Sequence, residues 1–315
     1  MKPFLYRSAA ALLLASALVC SADATGNPIY DFLRIPMNAR AASLGNTFLT
    51  VRNDPAGTFY NPGLLSTLER PSASAGFLKY LLDVNAGYAS YGQAVEGIGW
   101  IGGGVVYVNY GSFDETDRQS NVIGSFGASD LALSATVASV YENLHYGATV
   151  KFIHSSIADV SSSGLALDAG VAYAIPSEGM VLGLSVLNLG TQVSTYAGKS
   201  ERLPLDVKIG VSKKLEHLPL TVLLNFHKLN ESSDSFFDRF SAFSFGGEFT
   251  LSKYLRARIG YNNEMRRELK IGDSAKLAGF SAGLGLTASA YLVDYAYTSF
   301  GLIGSAHRFS IGTSF

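Results

Sequence analysis

Five histidines, His145, His154, His217, His227 and His307, are the side chains best suited to acid–base or metal chemistry in this 315-residue chain. None sits within a few positions of another, as the ligands of a metal site do. His227 with Ser232, or His307 with Ser305, would supply a base and a nucleophile for hydrolysis. Serine is so frequent here that such proximity arises by chance. "GIGWIG" at 97–102 matches the G-x-G-x-x-G dinucleotide fingerprint, but it runs on into Gly103-Gly104-Val105 with no helix to receive a pyrophosphate. The sequence therefore reads as non-enzymatic, with no catalytic residue, no metal and no cofactor.

The more informative polar residues alternate with apolar ones. Lys151, Asp168, Asp206, Lys208, Glu248, Arg256, Arg258, Asp294 and Arg308 each fall on the polar side of a period-two stretch. Both signs are present, which favours an interior salt-bridge network over a one-signed selectivity filter.

The elements that carry them are strands. In "LPLDVKIGVS", Leu205, Val207, Ile209 and Val211 oppose Asp206, Lys208 and Ser212. "KYLRARIGY" sets Leu255, Ala257, Ile259 and Tyr261 against Arg256 and Arg258. Successive Cβ atoms point to opposite faces, so each stretch buries one side and wets the other. About fourteen such stretches follow Ser72, with no helical-period segment between them. Their connections alternate in length. "PSEG" and "LEH" are short, whereas "GSFDETDRQSNVIGS", "TQVSTYAGKSER", "NESSDSFFDR" and "NNEMRRELKIGDSAK" are long. Short turns at one end and long loops at the other are the pattern of an outer-membrane barrel. An even strand count puts both termini on the periplasmic side.

Composition agrees. Charged residues are only 16% of the chain, and 24 basic against 25 acidic residues give no reason to expect nucleic acid. Beyond the first twenty residues no apolar run reaches the ~20 residues of a membrane helix. The first 24 residues read as a cleaved signal peptide, with Lys2 and Arg7, an apolar stretch from Ala9 to Val19, and Ala22-Asp23-Ala24. A lipoprotein signal acylated at Cys20 is the competing reading, and Val19 fits it poorly. Cleavage leaves no cysteine, which excludes a disulfide-stapled secreted fold. The last strand, "AHRFSIGTSF", aligns Phe309, Ile311 and Phe315 on one face, as in the insertion signal of outer-membrane barrels.

"NDPAGTFYNPGLLS" at 53–66 fits neither period. Pro55 and Pro62 lack the N–H of a sheet ladder, and irregular backbone at membrane depth must be shielded. The expected arrangement is 1–24 as signal peptide, 25–71 as a plug or hatch, and 72–315 as an all-β transmembrane barrel. Asn53, Asp54 and Asn61 are expected to bond lumenal polar residues. Arg266, Arg267 and Lys270, in a long outside loop, are candidates for docking a protein partner beside a plainer reading as a solvated face.

At 35–66, "IPMNARAASLGNTFLTVRNDPAGTFYNPGLLS" resembles the PorV/PorQ family, itself related to FadL-type transporters. The matching residues are Ala39 to Gly45, Asp54-Pro55 and Asn61-Pro62-Gly63-Leu64-Leu65, with Gly63 where the family carries Ala. "GYNNEMRRELK" at 260–270 resembles the PorQ branch, and 294–315 resembles the family's C-terminal hairpin. The resemblance implies a fourteen-stranded barrel in a Gram-negative outer membrane. It also implies a place in type IX secretion and surface attachment, among lipid, lipopolysaccharide, secretion components and cargo proteins. The alternative is a FadL-like transporter of hydrophobic small molecules.

Overall fold

The computed structural model describes residues 28–231, 237–270 and 276–315. The expected signal peptide, Cys20 and Ser232 lie outside the described residues.

Fourteen antiparallel strands close into one barrel. They are β1 (Ser72–Lys79), β2 (Asn85–Val95), β3 (Gly99–Thr116), β4 (Val122–Tyr141), β5 (Leu144–Ile157), β6 (Val160–Ile175), β7 (Met180–Ser194), β8 (Asp206–Lys214), β9 (Leu220–Phe226), β10 (Phe243–Thr250), β11 (Leu255–Asn262), β12 (Phe280–Ala288), β13 (Tyr291–Ser299) and β14 (Ser305–Ser314). Every strand pairs with its sequence neighbours, and β1 closes on β14 from Ser72↔Ser314 to Lys79↔His307. Closure leaves no edge strand in the wall, so its backbone groups are satisfied without water.

The period-two pattern decides which way each side chain points. On β6, Ser162, Ala166, Asp168, Ala172 and Ala174 are buried, while Leu165, Leu167 and Tyr173 are exposed. On β14, Arg308 and Ser310 are buried, and Phe309 and Ile311 are exposed, as is Phe315 beyond the strand. An apolar belt of this kind fits bilayer hydrocarbon and has no place in water. Tyr141, Tyr173, Tyr254 and Tyr291 stand exposed near the short-turn end, where an aromatic girdle belongs. Among the described residues no helix is long and apolar enough to cross a membrane.

One long connection differs from its expectation. "GSFDETDRQSNVIGS" is mostly strand, because β3 continues to Thr116 and β4 begins at Val122. The register shifts between Asn109 and Ser112, where Gly111 adopts φ +86°, and this bulge resets the alternation.

Residues 28–71 run through the lumen. Ile29 N–H donates to Arg202 O (3.0 Å) in the β7–β8 connection, at the long-loop end. At the short-turn end, Trp100 Nε1 donates to Leu68 O (3.2 Å) and Phe315 N–H to Pro71 O (2.9 Å). Although the wall starts and finishes at the short-turn end, residue 28 therefore lies at the opposite one. Between them come a 3₁₀ turn (Asp31–Arg34), helix α1 (Ala39–Ser43) and two more 3₁₀ turns (Pro55–Phe59 and Pro62–Thr67). The two Pro-led turns share a construction. Asp54 and Asn61 accept from the N–H groups of Ala56 and Gly63, and the prolines take the first position, where no N–H is needed. That is why 53–66 matches neither helical nor strand period.

Candidate functional site

Among the polar contacts between the N-terminal segment and the wall, two are made by arginines, and a close backbone contact joins them. At the first, Arg40 of α1 makes a two-pronged pair with Glu248 of β10, with both N–O distances 2.9 Å. Arg258 of β11 holds Glu248 at 2.6 Å and Asp294 of β13 at 2.5 Å. Asp54 adds a second carboxylate 3.6 Å from Arg40. The result is a chain of alternating charges, Asp54–Arg40–Glu248–Arg258–Asp294, that ties the segment to three strands. Planar two-pronged pairing fixes orientation as well as distance.

At the second contact, Arg308 of β14 donates to Pro36 O (2.7 Å) and to Thr298 Oγ1 (3.0 Å). The close backbone contact is formed by Asn61-Pro62-Gly63. Asn61, fully buried, donates to Leu49 O (3.0 Å) and Val171 O (2.9 Å). A Cβ on Gly63 would stand 2.9 Å from Gly170 O and 3.0 Å from His145 O, so the Ala found here in the resembling family has no room. On the wall side, a Cβ on Gly170 would stand 2.8 Å from Pro62 Cδ and closer still to the Asn61 amide.

Apolar packing completes the crossing. Ala41, Leu44, Phe48, Val51 and Tyr60 form a buried cluster with Leu223 of β9, and Phe48 meets Tyr60 edge-on at 5.1 Å. Cavities lie to either side. Toward the long-loop end, one of about 40 Å³ is lined by residues including Phe32, Ile35, Met37, Tyr60 and Lys151. It shares Arg34, Asn46, Asp206 and Lys208 with a neighbour of about 230 Å³ that reaches Tyr80 and Phe300. Toward the short-turn end lies a cavity of about 510 Å³ bounded by Leu44, Val51, Leu68, His145 and Lys214. The N-terminal segment separates the first pair from the third.

The sequence matches no family profile, and no curated protein matches it either. Solved structures do match. The toluene transporter TbuX of Ralstonia pickettii aligns with a TM-score of 0.60 at 11% identity, over 88% of this chain and 98% of that one. The fold is FadL-like. The Pseudomonas putida toluene transporter TodX (TM-score 0.55, 12% identity, 86% of this chain and 95% of that one) agrees. So does a Pseudomonas aeruginosa FadL homologue (0.55, 10%, 89% and 98%).

Within this FadL-like barrel the nine expected lumenal charges all lie on inward positions, but they do not form one network. Lys151 pairs with Asp168 (2.7 Å) and donates to Asn188 (2.8 Å). Asp206 pairs with Lys208 (3.1 Å) and accepts from Lys228 N–H (2.7 Å). Glu248, Arg258 and Asp294 form the group tied to Arg40. Arg256 donates to Thr287 Oγ1 (3.1 Å), and no ion pair forms at Arg256 or Arg308 among the described residues. The wall spaces these groups too widely for side chains to bridge them all.

Of Asn53, Asp54 and Asn61, only Asn61 reaches the wall, and it does so through backbone oxygens. Asn53 (φ 56°) instead accepts from Glu69 N–H, with its own N–H on Thr67 Oγ1 (2.9 Å). Asp54 is taken up by its turn and by Arg40.

The histidines of the two histidine–serine pairs have other partners among the described residues, and Ser232 lies outside them. His307 bonds Tyr295 (2.9 Å) and His227 bonds Glu264 (2.8 Å). Sequence reading missed Ser66 and His145, whose Oγ and Nδ1 lie 2.8 Å apart. Ser66 Oγ also donates to Gly63 O (2.8 Å), and among the described residues no carboxylate bonds His145. That pair staples the Pro62 turn to β5 and lacks the third group that orients a catalytic base.

"NNEMRRELK" forms a short helix, α2 (Asn263–Glu268), over the long-loop end. Met265 and Leu269 pack inward against the cluster that holds Tyr80 and Phe300. Arg266 donates to Lys276 O (3.2 Å) and Arg267 to Ser241 Oγ (2.5 Å), while Lys270 is exposed on the same connection. Glu264 holds both His227 and Lys228 (2.5 Å). Burial pushes the Glu264 carboxyl up, but hydrogen bonds and charge from His227 and Lys228 outweigh it and bring it down to about 2. Its folded value lies below the ordinary one, so its contribution is complete above about pH 4.5 and lost as pH falls through about 2. The stability difference between wild type and Glu264→Gln should therefore be fully present at about pH 5 and vanish near pH 2. Denaturant titrations at a series of pH values would check this, and a difference that instead grows on acidification would refute it.

Proposed function

We propose that this chain is an outer-membrane barrel that passes small hydrophobic molecules by moving its N-terminal segment as a hatch. The observation that carries the reading is the division of the lumen. Cavities lined by both apolar and charged side chains lie on the long-loop side, a larger one lies on the short-turn side, and one segment separates them. A conduit built this way needs no pore through the resting state, only a hatch that can leave its seat. The FadL-like fold supports the reading, since two of the similar structures are described as toluene transporters.

Leu64 of the hatch and Ala172 of β6 pack in one buried cluster, which offers a lock. Cells carrying the chain should take up radiolabelled toluene faster than cells without it. A Leu64→Cys/Ala172→Cys pair should abolish the gain when oxidised and restore it on reduction. Equal uptake with and without the chain, or uptake indifferent to the lock, would sink the proposal.

A second reading is a non-enzymatic component of type IX secretion and surface attachment, set in lipid and lipopolysaccharide. The buried ion pairs between segment and wall favour it, because a filled lumen suits a scaffold that holds proteins at its long loops. Its test is affinity purification from solubilised outer membrane. Recovery of a sortase-like protease, or of cargo with C-terminal signal domains, would support this reading against transport.

A further inference from the structure

The β3–β4 hairpin outgrows the barrel. β3 pairs with β2 only as far as Asn85↔Asn109, and β4 pairs with β5 only from Ala128↔Ile157. Between these limits β3 and β4 pair with each other, from Ser112↔Gly127 to Thr116↔Val122, and only Gly127 O, which accepts from Ala158 N–H (3.0 Å), is taken up on the outer edge of β4 among the described residues. Among the described residues no further strand flanks this ribbon, so both its edges carry unpaired backbone groups. A two-stranded ribbon is marginal by itself in water, yet this one is built to persist. The Asp117 carboxylate accepts from Gln119 N–H (2.8 Å), Asn121 N–H (2.9 Å) and Asn121 Nδ2 (3.0 Å), which closes the turn. Phe113 and Phe126 stack across the strands at 5.4 Å and 25°.

Natural proteins blunt such edges with lysine, proline or a covering loop. The outer edge of β4 has none of these. Residues 122–127 are Val-Ile-Gly-Ser-Phe-Gly, and the neighbouring β5–β6 turn spans only Ala158 and Asp159. Val122 and Ile123 are each 63% exposed. The ribbon carries Asp114, Glu115 and Asp117 against the single cation Arg118. Asp117 is spent on the turn, whereas Asp114 and Glu115 form no ion pair among the described residues.

We propose that β4 residues 122–127 are a docking edge for a basic, extended segment of another protein, which adds as a further strand. Main-chain bonding along the free edge supplies affinity, as in other strand-addition complexes. The apolar side chains of the incoming strand lie over Phe126, on the face that also carries Phe113, and its lysines or arginines, on the opposite face, meet Asp114. Charge selects this occupant over a second copy of the chain, which would bring like-charged ribbons together. The inference is independent of hatch movement and holds whether or not the lumen conducts.

The test uses the intact barrel in lipid nanodiscs and two seven-residue peptides, one alternating valine with lysine and one alternating valine with glutamate. The lysine peptide should bind saturably and slow amide exchange across 122–127. Asp114→Asn/Glu115→Gln should weaken it by about tenfold. Heat-modifiable gel migration shows that the double variant keeps its barrel. Equal binding of the glutamate peptide would overturn the proposal. So would protection confined to other strands, affinity unchanged in the double variant, or ribbon-mediated dimers without peptide.

Discussion

Arg258→Met should destabilise the barrel by about 3–5 kcal/mol, the usual consequence of removing one partner from a buried ion group. Arg258 is 1% exposed and, among the described residues, is the only group joining Glu248 to Asp294. Without it Asp294 stays buried with no ion-pair partner among the described residues, while Glu248 keeps Arg40. The cost should therefore come mostly from Asp294. This gives the prediction a second arm: Arg258→Met/Asp294→Leu should recover much of the lost stability, because an apolar pair leaves no orphaned charge. Urea unfolding in lipid vesicles measures both. An unchanged midpoint for Arg258→Met would mean that the charge chain does not anchor the lumen. Failure of the double variant to recover would place the loss in packing instead.

Gly170→Val should leave the wall intact and dislodge the N-terminal segment. Valine suits a strand, and position 170 pairs with Gly147, so the barrel itself has room for it. The Asn61-Pro62-Gly63 turn does not. The first added carbon already conflicts with Asn61 and with Pro62 Cδ at 2.8 Å, and Gly147 faces Pro62 O at 2.7 Å by the same measure. Expelling the turn removes the Asn61 bond to Val171 and the packing of Leu64 against Ala172 and Val181. Residues 52–67 should then become sensitive to protease, and single-channel conductance should rise several-fold in planar bilayers. Protease resistance and conductance equal to wild type would show that this seat is not what keeps the segment in place. Gly63→Ala is the milder version, since its conflicts are with backbone at 2.9–3.0 Å rather than with a whole turn.

The wall was legible in the sequence because a membrane barrel imposes period two on every strand. All fourteen expected strands exist, and the nine expected charges point inward. The ribbon was not legible. Gly111 breaks the alternation, and a run rich in Ser, Asp and Thr looks like loop when no second wall constrains it. The N-terminal segment was legible as an exception, through its Asn/Asp caps and prolines, but its partners were not. Arg40 and Glu248 are 208 positions apart, and nothing local in "ARAAS" distinguishes an arginine that anchors from one that is solvated. Ser66 and His145 escaped for the same reason.

The path of that segment sets an order of events for assembly. The polypeptide passes from residue 28 at the long-loop end down to Ser72, and Ser72 begins the strand that seals against the last one. If the β1–β14 seam formed first, some forty residues would have to be pulled lengthwise through a finished ring. The economical route is to gather the wall around the segment and zip the seam last. Barrel closure and lumen filling then become a single kinetic step, and a lesion in the interior would show itself as slow maturation of the whole ring.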